Sequence, residues 1–206
     1  MKTQKQKTLE LVQLSMLVAL VVVLQIISAV IPPIGGMVNI TLTLVPVVIG
    51  AILFGKKGGA ILGFIFGVIV MINCIVALDR GGNILWVENP AFTAIICLVK
   101  GTAAGFLPAL IYKLVISKKE NVSTSNKFVA SLLAAVSAPI INTGLFVCGM
   151  LLFFMDTLSS WAGDSDVLAY IILGLAGINF LVEFLINIIL TPAIVRIVDI
   201  VKKKIK

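Results

Sequence analysis

The chain contains no histidine. It therefore has no imidazole to ligate a metal ion and lacks the usual base for a serine or cysteine nucleophile. No Walker motif and no Gly-rich phosphate loop ahead of a helix is present, so the chain does not hydrolyse nucleotide itself. A membrane enzyme would have to use Lys100 and Glu183 as its acid and base, and the residues are read instead as a non-enzyme with no cofactor and no metal site. Cysteine is scarce: Cys74, Cys97 and Cys148 all fall inside apolar runs. They are expected as small apolar fillers rather than as a disulfide framework. Aromatic residues make up only 7% of the chain, which offers little surface to a flat aromatic ligand.

Charge is also sparse, at 12% of residues, while 60% are hydrophobic and the mean hydropathy is +1.19. That balance excludes an ordinary soluble domain. Six apolar runs predict an all-α integral membrane protein, one six-helix domain over residues 1–206. The runs are Leu9 to Ile31, Leu42 to Phe54, Ala60 to Leu78, Ala91 to Ile116, Phe128 to Met155 and Val167 to Val198. The second is short of the roughly 20 residues that cross a bilayer, so it should recruit Asn39 to Thr41 or lie shielded by its neighbours. The first run follows a basic start but is too long for a signal peptide and lacks a small-x-small cleavage site, so it is expected to be kept.

Charge placement predicts orientation, because cytoplasmic loops collect Lys and Arg. Lys2, Lys5, Lys7, Lys56, Lys57, Lys113, Lys118, Lys119, Lys127, Arg196, Lys202, Lys203, Lys204 and Lys206 share one face if there are six spans with both termini cytoplasmic. Asp79, Glu88, Asp156, Asp164 and Asp166 then share the other. The net charge of +7 is thus a record of membrane topology, not a nucleic-acid surface. Ser117 to Asn126 reads as a cytoplasmic loop. Pro32 to Thr41 and Asp79 to Asn89 read either as flaps over a cavity mouth or as plain turns, with Trp86 and Trp161 at the interface.

Two patterns of small residues stand out. Gly59, Gly63 and Gly67 in span three and Ser15 and Ala19 in span one lie at four-residue spacing, which lets helices approach closely in lipid. The glycines suit packing inside the bundle. Ser15 and Ala19, alone on a bulky helix, suit docking of another membrane protein.

Lys100 is the most informative residue, since a cation inside a span costs roughly 2.5–3.5 kcal/mol and needs a polar partner. Counting along helices at about 1.5 Å per residue puts Lys100, Asn142, Asn73, Glu183 and Asn179 roughly 20–26 Å above the inner charges, in one predicted layer. Asn179 and Glu183 share a helix face, Asn187 continues it in a structural role, and Asn89 with Pro90 should cap and start span four. Two readings stand side by side: an internal network in which Lys100 pairs with Glu183, or a small-ligand pocket open to the outside. In the second, Lys100, Asn142, Asn179, Glu183, Asn73 and Asn89 are the substrate-binding candidates.

The chain resembles the substrate-binding S components of energy-coupling factor (ECF) vitamin transporters, through six spans in about 200 residues and the Ser15–Ala19 pair, which is similar to the family's docking motif. It is most similar to the pantothenate group, on Asn89-Pro90, a cation at Lys100, Ile141-Asn142-Thr143, Asn179 with Glu183, and Leu190-Thr191-Pro192-Ala193-Ile194. Lys stands where that group usually carries Arg, and Lys cannot make a bidentate fork to a carboxylate. The resemblance implies a multi-pass subunit of the bacterial cytoplasmic membrane that captures a vitamin outside and works with a transmembrane coupling subunit and two cytoplasmic ATPases. Its ligand would be pantothenate, held with its carboxylate on Lys100 and its hydroxyls and amide on Asn142, Asn179 and Glu183. Another B vitamin such as riboflavin or pyridoxine, a stand-alone channel or carrier, and a structural membrane subunit are the competing readings.

Overall fold

The computed structural model describes residues 3–30, 42–117, 123–175 and 177–205. Those residues are helical nearly throughout, with no strand among them. In chain order they form α1 (Gln4–Val30), α2 (Leu44–Ile75), α3 (Arg80–Glu88), α4 (Pro90–Ser117), α5 (Thr124–Phe153), α6 (Met155–Ala162), α7 (Val167–Tyr170), a π-helical turn (Ile171–Leu175) and α8 (Gly177–Ile205). Among the described residues, five stretches are long and apolar enough to cross a membrane: Gln4–Ala29, Leu44–Ile75, Pro90–Ser117, Thr124–Phe153 and Asn179–Val201. The predicted loop Pro32 to Thr41, and most of the loop between α4 and α5, lie outside the described residues.

Predicted spans two and three share α2, and α2 is not straight. Gly55 takes φ +69°, ψ −161°, a conformation open to glycine and costly for other residues. The chain reverses there. A Cβ on Gly59 would lie 3.0 Å from the Cβ of Ala51, whereas eight residues along one straight helix are about 12 Å apart. Residues 44–54 and 56–75 are therefore two antiparallel arms of a hairpin. The first arm, about 16 Å of helix at 1.5 Å per residue, is too short to cross a bilayer alone. It is shielded by its neighbours: Leu44, Pro46 and every residue from Val47 to Ile52 are buried.

Predicted span six also differs from one continuous helix. It begins as α7, passes through the π turn, and α8 starts at Gly177, where any Cβ would run into the carbonyl oxygen of Ile172. Only glycine allows that approach, so Gly177 permits the break that hydropathy cannot register. Asn89 and Pro90 do start α4 as predicted: the Asn89 side chain accepts the Phe92 N–H at 3.1 Å, and Pro90 takes the first helical position, where its missing N–H costs nothing.

Two apolar clusters hold the bundle. The larger joins both arms of α2 to α1, α4, α5 and α8 through Val21, Leu44, Leu62, Phe66, Ala104, Ala134, Ala138 and Ile194. The smaller lies at the α3 end, where Leu85, Ile96, Met150, Phe154, Leu158 and Leu175 meet. Trp86 packs against the first and Trp161 against the second. At the opposite end Lys56 and Lys113 line one groove with Tyr112 and Ser117, and Lys127 pairs with Asp199 at 2.9 Å.

Candidate functional site

The site is set by how α2 and α4 meet. Gly59 abuts the carbonyl of Gly105, Gly63 that of Gly101, and Gly67 that of Cys97. Backbone touches backbone because at each of these contacts at least one of the two helices carries a glycine. The predicted packing role of Gly59, Gly63 and Gly67 is therefore correct. Their partners Gly101 and Gly105, themselves four residues apart, went unnoticed in the sequence.

This register corrects the single polar layer. With Gly63 opposite Gly101, Lys100 lies level with Phe64, nine residues and about 13 Å short of Asn73 along the axis. Counting from Lys57 and Lys113 failed because those two lysines do not lie at one depth; α4 runs on past the Gly55 reversal. Helical side chains lean toward their helix N-terminus, and the Lys100 stem does so, reaching toward α3.

There Lys100, 8% exposed, enters a cavity of about 20 Å³ with Val70, Cys74, Asp79, Gly82, Leu85, Thr93, Ile96, Cys97 and Phe146. Its ammonium stands 4.7 Å from the centre of the Phe146 ring, a cation–π contact that partly compensates the lost hydration. The counter-charge on this cavity is Asp79. That acid was expected merely to face outside. Asp79 is also the N-cap of α3, accepting the Gly82 N–H at 3.0 Å, while its own N–H donates to the Asn73 carbonyl at 3.2 Å. Burial pushes the Asp79 carboxyl above its ordinary value, against the opposing pull of the Gly82 N–H and the Lys100 charge.

The segment from Asp79 to Asn89 thus folds over the cavity, as one of its two readings had it. Gly81, Gly82 and Leu85 turn inward, and a Cβ on Gly82 would strike the Cys74 sulfur. Cys74 and Cys97 are free and buried, and Cys148 is free and exposed. The first two pack in the larger apolar cluster, as expected of small apolar fillers, and also border the Lys100 cavity. The signal that could have revealed Asp79 is local: an acid ahead of Gly81-Gly82 marks a capped helix start pressed against a neighbour.

The other candidates group elsewhere. Asn179, Glu183, Asn187 and Thr191 are all buried and form one stripe on α8 at four-residue spacing. Asn187 donates to the Glu183 carbonyl and Thr191 to the Asn187 carbonyl, each at 2.8 Å, which fits the structural role expected of Asn187. On α5, Asn142 is buried one turn from Phe146, and its Oδ1 accepts no hydrogen bond from the described residues. Asn73 and Asn89 flank α3, the first through its carbonyl and the second as the α4 cap. None of Asn142, Asn179 and Glu183 lines the Lys100 cavity.

Ser15 and Ala19 are exposed on α1, among Leu11, Val12, Met16, Leu20 and Val23, which are exposed too. The Ser15 hydroxyl donates to the Leu11 carbonyl at 2.9 Å, so it can face lipid with its hydrogen bond made. No metal-binding cluster of His, Cys, Asp or Glu occurs among the described residues.

Comparison with known proteins shows the family. The pattern of the family "ECF transporter, substrate-specific component" matches residues 9–195. The chain is 27% identical over 201 residues to the pantothenic acid transporter PanT of Lactococcus lactis subsp. cremoris (strain MG1363), covering 93% of this chain and 94% of that one. No solved structure matches.

Proposed function

The chain belongs to the ECF transporter substrate-specific component family, and from that membership we propose that it captures pantothenate outside the cell and delivers it inward with a transmembrane coupling subunit and two cytoplasmic ATPases. Family membership makes it a transport component and not an enzyme. The observation that carries the ligand is the buried ammonium of Lys100, held in a membrane-length helix at a largely apolar cavity, in a chain similar to a pantothenic acid transporter. A carboxylate is the group such a cation would take up. Asn142, Asn179 and Glu183, buried on α5 and α8 outside that cavity, are the proposed partners of the ligand's hydroxyls and amide once the site expands, while Asn73 and Asn89 flank α3.

The proposed topology is six membrane passes, one of them the half-length arm 44–54, with both termini in the cytoplasm of a bacterial cell. The reversal at Gly55 supports it, since it brings Lys56 to the end of the bundle that holds Lys113. The exposed Ser15 and Ala19 are the proposed seat of the coupling subunit. A cavity of about 20 Å³ is far below the roughly 300–1,000 Å³ of ligand pockets, so capture requires the site to expand.

Titration calorimetry of the purified chain against pantothenate, with riboflavin and pyridoxine in parallel, tests the proposal. Saturable, tight binding of pantothenate alone is expected. Binding of a different vitamin would keep the class and replace the substrate; binding of none would remove the capture role.

A further inference from the structure

Lys100 and Asp79 face one cavity from elements of unequal freedom. Lys100 is anchored in α4, beside Gly101, whose backbone lies against that of Gly63 and Gly67. Asp79 opens α3, a helix of nine residues. On one side α3 follows a turn in which Ala77 takes φ +60°; on the other it ends at the extended Asn89 (φ −150°, ψ 96°). Both junctions are non-helical, so α3 can move as a unit while α2 and α4 stay locked.

The cavity of about 20 Å³ has room for about one water. An organic acid does not fit that space; withdrawal of α3, which borders it through Asp79, Gly82 and Leu85, would enlarge it and take Asp79 away from the ammonium. An ammonium left uncompensated in a membrane-embedded bundle is costly. Whatever replaces Asp79 must therefore bring a negative charge.

We propose that Asp79 is an affinity-setting residue, a built-in stand-in for the ligand's carboxylate: it neutralises Lys100 while α3 is down, and the incoming acid group exchanges with it. The proposal rests on pantothenate capture at Lys100 and adds to it a competitor carried by the protein itself. The attraction between Asp79 and Lys100 opposes every ligand, and only a molecule supplying an anion to Lys100 overcomes it. Occupation of the site and release of α3 are then one event.

Asp79→Asn tests this cleanly, because Asn caps a helix as well as Asp does while losing the charge. The full-length chain carrying Cys148→Ser is used in detergent, so that Cys74 and Cys97 beneath α3 report opening by their rate of maleimide labelling. Asp79→Asn should speed labelling about tenfold and tighten pantothenate binding by a similar factor, with Lys100→Met also speeding labelling and the double variant adding nothing further. Unchanged labelling in Asp79→Asn, or additive rates in the double variant, would reduce Asp79 to a helix cap. Faster labelling with pantothenate affinity unchanged or weakened would overturn the exchange. If the unsubstituted chain binds no pantothenate, the proposed ligand fails, while the labelling rates still decide whether Asp79 and Lys100 hold α3 down.

Discussion

The two ends of the contact between α2 and α4 use the same pair of helices and reach opposite results. Toward the lysine-rich end, Gly59, Gly63 and Gly67 meet Gly105, Gly101 and Cys97 with backbone against backbone. Toward α3 the facing residues become Val70 and Cys74 on α2 and Thr93, Ile96 and Cys97 on α4, and a small cavity that takes in Lys100 and Asp79 opens between them. Lys100 sits next to the last glycine of the closed end and points its ammonium into the open one. Side-chain size along one seam thus separates a clamp from a site. The clamp holds Lys100 in place, which a cation needs if its partner is to come and go.

The largest effect should come from breaking the closed end. Gly63→Leu puts a branched chain where even a Cβ would strike the Gly101 carbonyl; about 3 kcal/mol or more of stability should be lost. Loss of a monodisperse peak and of a cooperative thermal transition in detergent would register it. A normally folded protein would show that the seam can separate.

Next in size is the open end. Lys100→Met should lower pantothenate affinity by about 100-fold, within the about 2–5 kcal/mol that truncating a buried charged partner costs. Thermal stability should hold, since a poorly hydrated charge has been removed. Calorimetry and a melting curve on the same sample separate the two effects, and an unchanged affinity would take Lys100 out of the site.

The smallest effect on the chain itself should come from outside the seam. Ser15→Trp or Ala19→Trp adds bulk to an exposed face, so ligand affinity and melting temperature should stay within about 0.5 kcal/mol of the parent. Co-purification with the coupling subunit should be lost. Retained co-purification with both variants would move the partner surface elsewhere.

The contrast also marks where sequence reading succeeds. Lys100 and Glu183 stand out in the sequence because each interrupts an apolar run, and both prove buried. Asn89-Pro90 is readable because capping chemistry is local. The place of Asp79 on the Lys100 cavity went unread because it depends on α3 folding back toward Cys74, a contact made by Gly82 and visible only in space. The common depth assigned to Asn73 and Lys100 failed for a related reason: depth was counted from loop charges, while the register is set by glycines on two helices about 40 residues apart.

Composition and periodicity by themselves determined the class of this protein: helices long and apolar enough for a membrane, a lysine-rich set of connections, a short list of buried polar residues and a matched pair of small residues on α1. Those properties depend on neighbours within a few turns, which is the range over which hydropathy and capping act. Tertiary structure alone decided that α2 doubles back at Gly55, that α8 begins after a π turn at Gly177, and that Lys100 looks at Asp79. Each of these rests on how close two backbones can come, and that closeness is settled only when distant glycines meet.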